Sequence, residues 1–146
     1  MQNYGQYQYK QINVGTADPG KLVVLLYEGA INFLKKARTS TLENNIETRC
    51  NNINRAQDII QELNNSLKMD AGGEIARNLR SLYFFMGRHL VMAKIKKDNT
   101  QKIDEVIHML SRLCEAWVEI LEKPEVKQIL PTITSFHPER SRGIRA

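Results

Sequence analysis

The chain lacks any long apolar stretch. Its longest, Leu22 to Tyr27, is six residues, against the roughly 20 that a membrane-spanning helix needs, so no membrane insertion is expected. The N-terminal MQNYGQYQYKQ shows no basic segment followed by an apolar one, so no secretory leader is expected and the cytosol is the expected location. Cysteine is scarce: Cys50 and Cys114 stand 64 positions apart with no CxxC spacing. That argues against a zinc ribbon or a disulfide framework and for two small buried hydrophobes in a reducing compartment. Charge of one sign is not in large excess either. Twenty-one bases face 16 acids, a surplus of +5. Two of those charges come from the last ten residues, where Arg140, Arg142 and Arg145 face Glu139. The rest is dispersed, so a nucleic-acid partner is not expected, whereas an acidic partner stays open. Apolar alternation of period two is missing throughout, so strands are not expected.

What is present is helical rhythm. The 146 residues suit one domain. Residues 1–17 are polar and Gln/Asn-rich, a tail that orders only against a surface. Asp18 and Pro19 make an N-cap and first helical position, and Leu22, Leu25, Leu26, Gly29, Phe33 and Ala37 follow at helical spacing. Ser40-Thr41-Leu42-Glu43 has the form of a capping box for a second helix over 42–67. That helix carries Ile46, Cys50, Ile53, Ala56, Ile60, Leu63 and Leu67 in near-heptad steps. After Asp70-Ala71-Gly72-Gly73, a third helix over 74–97 carries Ile75, Leu79, Leu82, Met86, Leu90 and Ala93. A fourth over 101–122 carries Ile103, Val106 or Ile107, Leu110, Leu113, Trp117 and Ile120 or Leu121, and Pro124 stops it. The connections are short, which makes neighbours antiparallel. The expectation is an all-α, up-down four-helix bundle over 18–123, with a tail at 1–17 and a segment at 124–146. In that last segment a short helical turn over 125–130 precedes a basic tail starting at Pro131.

No catalytic constellation emerges. There is no Gly-x-Ser-x-Gly and no Ser/His/Asp cluster. Gly72-Gly73 precedes a helix, but no strand comes before it and no Lys-Ser/Thr follows, so it reads as a helix stop. Glu105-x-x-His108 is half of a di-iron carboxylate motif. The other half is missing, because His89 has Met86 three residues before it, and Glu28 and Glu62 fall beside the apolar stripes. Neither a metal nor any other cofactor is expected, and the chain reads as a non-enzyme. A helical-bundle metal protein and a basic nucleic-acid-binding module are the alternatives.

The helices carry more apolar surface than one core face of about 100° uses. In the first helix Val23, Val24, Tyr27 and Ile31 stray from the Leu22/Leu26/Phe33 face. In the third, Tyr83, Phe84, Val91 and Ile95 stray from the Leu79/Leu82/Met86 face, with 84, 91 and 95 forming a line broken only by Arg88. Two accounts fit this surplus: a wider core beneath the tail, or a groove for a partner's amphipathic helix. Tyr9, Ile12 and Val14 would be its movable cover, and Leu22, Leu26, Tyr27, Ile31, Tyr83, Val91 and Ile95 its lining. A second copy of the chain could meet the same face, so self-association stays open.

Several segments resemble one family. Tyr9-Lys-Gln-Ile-Asn-Val-Gly-Thr-Ala-Asp-Pro-Gly-Lys-Leu22, Leu26-Tyr-Glu-Gly-Ala30, Arg55-Ala-Gln-Asp-Ile-Ile-Gln-Glu-Leu63, Leu82-Tyr83, Leu90-Val-Met-Ala93 and Glu115-Ala-Trp117 are similar to the flagellin-specific export chaperones, FliS. The resemblance implies a helical bundle of the bacterial cytosol that binds the disordered C-terminal segment of flagellin as it becomes helical. Such binding prevents premature polymerisation and assists delivery to the flagellar type III export apparatus. It also implies that the N-terminal segment, with Tyr9, Ile12 and Val14, lies over the client-binding surface. Two positions depart from the family pattern: Phe84, where an acid is common, and Lys94, where Asn is frequent.

Overall fold

The computed structural model describes residues 19–96, 100–123 and 129–134. Four long helices form within them: α1 (Pro19–Leu42), α2 (Ile46–Asn65), α3 (Gly73–Ile95) and α4 (Gln101–Leu121), with a single turn α5 (Leu130–Ile133). α1 packs along α2 and α4, and α3 closes the ring by packing along the same two helices. Connections over 43–45, 66–72 and 96–100 are too short for anything but antiparallel neighbours. This is the expected all-α bundle. Asp18, the 1–17 tail, residues 124–128 and the tail from 135 onward lie outside the described residues, and with them Tyr9, Ile12 and Val14.

The core follows the apolar periods, with informative exceptions. α3 buries Ala76, Leu79, Tyr83, Met86, Leu90 and Ala93, so the stripe turns by one residue at two of the expected positions. Ile75 and Leu82 are 53% and 36% exposed. Tyr83 can take Leu82's place because its hydroxyl finds a partner: it is hydrogen-bonded to the Tyr27 hydroxyl, which also accepts from Trp117 Nε1 at 3.0 Å. A buried phenol is tolerable when its oxygen is satisfied. In α2, Ile46 is 45% exposed and Arg49 is fully buried in its stead. Arg49 Nε donates to Thr41 Oγ1 at 2.7 Å and Nη2 to the carbonyls of Ala93 and Lys96, the latter at 3.0 Å. A cation thus ties the end of α1 to the carbonyl end of α3, where the helix dipole favours it. In α4, Val106 rather than Ile107 is the core residue, and Cys114 takes the place expected of Leu113.

Two boundaries differ from expectation. Ser40 and Thr41 do not cap α2; their hydroxyls donate back to Lys36 and Ala37 carbonyls, and α1 runs on to Leu42. The N-cap is Asn45, whose side chain accepts from the Thr48 N–H at 3.2 Å. At the other end of the chain, Pro131 lies in the first turn of α5 instead of opening a tail. α5 buries Leu130 and Ile133, the Ile133 carbonyl accepts from Lys68 N–H at 2.8 Å, and the Ser66 and Thr134 hydroxyls meet at 3.0 Å. Gly20 sits under this corner: a Cβ there would come within 2.3 Å of Leu121 Cδ2 and 3.1 Å of Leu130 Cδ1.

Candidate partner-binding surface

The residues expected to line a groove do not share one face. Leu22, Leu26, Tyr27 and Tyr83 belong to the core cluster and present almost no surface. α1 has neighbours on two sides, so its extra apolar residues are absorbed inside. Ile31 is half-buried against the core. It lies seven residues, two helical turns, before Arg38, whose Nε pairs with Asp104 of α4 at 2.8 Å. Ile31 therefore sits on the α4 side of α1. Val91 and Ile95 are 46% and 65% exposed on α3, a helix that is not a principal neighbour of α1.

Most of the unspent apolar surface resides on α3, which carries seven large exposed apolar side chains with Ile75 counted. Leu82, Phe84, Phe85, Val91, Met92 and Ile95 are all large and at least 36% exposed, and helical spacing sorts them onto two flanks. Phe84, Val91 and Ile95 occupy the flank toward α2. There the Gln57 amide donates to the Gly87 carbonyl at 3.4 Å, and Lys94 Nζ donates to Asn54 Oδ1 and Gln57 Oε1 at 2.8 and 3.0 Å. Leu82, Phe85 and Met92 occupy the flank toward α4.

That second flank opens into a cleft between α3 and α4. One part, about 740 Å³, is lined by Phe85, Thr100, Gln101, Asp104, Glu105, His108 and Met109. A second, about 270 Å³, is lined by Leu82, His108, Met109, Arg112 and Leu113. Its apolar floor under a polar rim is the form that takes an amphipathic segment. The rim is pinned across the helices by His89, stacked on Phe85 at 4.7 Å between ring centroids and hydrogen-bonded to Glu105. That bond, and one from Gln101, hold the Glu105 carboxyl below its usual range. Glu105 thus faces His89 rather than joining His108, which is exposed. Among the described residues no group of three His, Cys, Asp or Glu is placed to hold a metal ion. Burial pushes the Cys114 thiol up to about 11, which leaves it a poor nucleophile at neutral pH. Cys50, expected to be buried, is only half so. No described helix is long and apolar enough to cross a membrane.

The cleft escaped the sequence reading, although Leu82/Phe85 and Met109/Leu113 each stand three or four residues apart and carried the signal on their own helices. Only the pairing of α3 with α4 joins them.

The sequence model of the family described as flagellar protein FliS matches residues 1–124. The chain is 36% identical over 129 residues to the flagellar secretion chaperone FliS of Campylobacter jejuni, covering 88% of this chain and all of that one. To the flagellar secretion chaperone FliS of Bacillus subtilis it is 34% identical over 114 residues, covering 78% and 84% of the two chains. To that of Salmonella typhimurium it is 34% identical over 125 residues, covering 82% and 92%. The role these relatives are named for, that of a chaperone, is not enzymatic.

Proposed function

The chain belongs to the FliS family of flagellar secretion chaperones, and from that membership we propose that its client is the C-terminal segment of flagellin, bound in the bacterial cytosol as an amphipathic helix. Holding that segment keeps the subunit from polymerising early and presents it to the flagellar export apparatus. The observation that carries the reading is α3, which leaves seven large apolar side chains, Ile75 among them, in solvent. Val91 and Ile95, with Ile31 on the far side of the bundle, are the client contacts proposed from the earlier set, and Tyr9, Ile12 and Val14 are the cover that the client displaces. A client long enough to wrap the bundle reaches both places.

Magnitudes suit a carrier. Four or five apolar anchors, each worth about 1.5–3 kcal/mol on burial, give about 6–15 kcal/mol gross. Ordering the client and moving the cover take back several kcal/mol of this, so binding is firm yet reversible. Titration of the protein with a peptide from the C-terminal region of flagellin of the same cell tests the reading. Calorimetry and gel filtration should show a 1:1 complex, and circular dichroism a helix content above the sum of the parts. Absence of binding to every flagellin of that cell would end the proposal.

A further inference from the structure

Charge on the α2-facing flank of α3 says what kind of helix that flank takes. α3 holds a single acid, Glu74 in its first turn, against Arg77, Arg80, Arg88 and Lys94. Arg77, Arg80 and Arg88 are exposed, and helical spacing sets them among Phe84, Val91 and Ile95 on one strip. Three of the chain's 21 bases thus line one helix face. None of the three arginines is ion-paired among the described residues; Arg80 lies over the Phe84 ring, 5.6 Å from its centroid. The adjoining side chains of α2, Asn54 and Gln57, are neutral amides engaged with Lys94. Among the described residues no carboxylate of the bundle forms an ion pair with the strip.

We propose that this strip docks an acidic amphipathic helix, whose apolar residues cover Phe84, Val91 and Ile95 while flanking Asp or Glu side chains pair with Arg77, Arg80 and Arg88. From Arg77 to Ile95 the strip runs about 27 Å at 1.5 Å per residue, the length of a helix of about 18 residues. It is one helix wide and walled on one side by the α2 amides, a shape suited to a rod rather than to a flat lipid surface. Guanidinium groups flanking an apolar line also select by sign: a basic helix meets like charge and a neutral one gains only the apolar part. The inference deepens the client-binding reading by giving the bound segment a charge, yet it stands or falls on different measurements.

The test uses the full chain and three synthetic 18-residue helical peptides with identical apolar positions, flanked by Asp/Glu, by Gln, or by Lys. Fluorescence anisotropy should show the acidic peptide binding at least about tenfold more tightly than the Gln peptide, as several modest ion pairs allow, with the margin shrinking as salt rises. The triple variant Arg77→Glu/Arg80→Glu/Arg88→Glu changes only exposed side chains, and its thermal melt checks that it folds. It should lose that preference and prefer the Lys peptide. Equal affinity for all three peptides, or an acidic preference that survives the triple variant, overturns the proposal. So does binding of the full chain to phosphatidylglycerol vesicles with no acidic-peptide binding. A flagellin peptide run in parallel separates the two readings. If it binds while charge selectivity is absent, only the strip proposal falls; if it fails while the acidic peptide binds through the arginines, only the flagellin assignment falls.

Discussion

The oxygen of Tyr27 is the hub of the only polar network described among the core side chains of α1, α3 and α4: it accepts from Trp117 Nε1 at 3.0 Å and is hydrogen-bonded to Tyr83. Changing Tyr27→Phe strands both partners in an apolar interior, whereas Tyr83→Phe leaves the Trp117 bond intact. Leaving a buried polar group unsatisfied costs about 1–3 kcal/mol. Urea unfolding should therefore place Tyr27→Phe about 2–4 kcal/mol below the parent and Tyr83→Phe about 1 kcal/mol below it. The same hub sets an alkaline limit. Burial pushes the Tyr27 hydroxyl up to about 12, and burial also raises that of Tyr83, while an unfolded tyrosine titrates near 10. Between those values the unfolded chain has released the proton that the native state still holds. Stability is thus intact below about pH 10 and falls as pH rises through 12, by up to about 1.4 kcal/mol per unit for each such tyrosine. Unfolding series from pH 8 to 12 should show a shallower alkaline decline in Tyr27→Phe than in the parent; equal slopes would mean that this phenol is not buried in the way described.

At the corner between α1 and α2 two asparagines divide the work. Asn44 has φ 58°, its N–H donates to the Thr41 carbonyl at 3.1 Å, and the Asn45 N–H donates to Ser40 at 2.8 Å. That is the paired 5→2 and 6→1 pattern of a Schellman end, with a left-handed residue that glycine or asparagine fills well. Asn45 then serves as the N-cap of α2, so one helix stops and the next starts without a linker. Asn44→Gly should leave the urea midpoint level or slightly raised, while Asn44→Val, forced into a conformation hostile to a β-branched side chain, should lose about 1–2 kcal/mol at unchanged m. A valine variant as stable as the parent would mean that the corner is built differently. The corner also shows what a sequence conceals. Ser40-Thr41-Leu42-Glu43 fits the letter pattern of a capping box, but its hydroxyls bond within α1, and Asn44-Asn45 was the truer turn signal. Helix number, order and most of the α4 stripe were legible because apolar periodicity is a property of each helix alone. Arg49 and Tyr83 were not, because burying a polar group depends on partners from other helices.

Across the whole molecule the helices are unequally held. α1 is packed most extensively, along α2 and α4, while α3 touches both of its neighbours more sparingly and keeps apolar side chains in water on both flanks. This explains which of the surplus apolar residues stay exposed. The line 84, 91, 95 could be read as surplus on α3 and is exposed there, whereas the surplus of α1, including Leu22 and Leu26, lies inside the better-packed helix. The helix with fewest packing contacts should open at lowest cost, and a client that docks on it should close it. Native-state hydrogen exchange of the unliganded protein should therefore show α3 amides exchanging faster than those in the middle of α1. With the flagellin peptide at roughly 100 times its dissociation constant, openings that release the client should slow by about a hundredfold. The slowing should be largest along α3, in the peptides containing Phe84, Val91 and Ile95, and small in the middle of α1, which is already closed. If protection rises along α1 and stays unchanged along α3, the client lies elsewhere on the bundle, and the exposed residues of α3 must be assigned to a different partner.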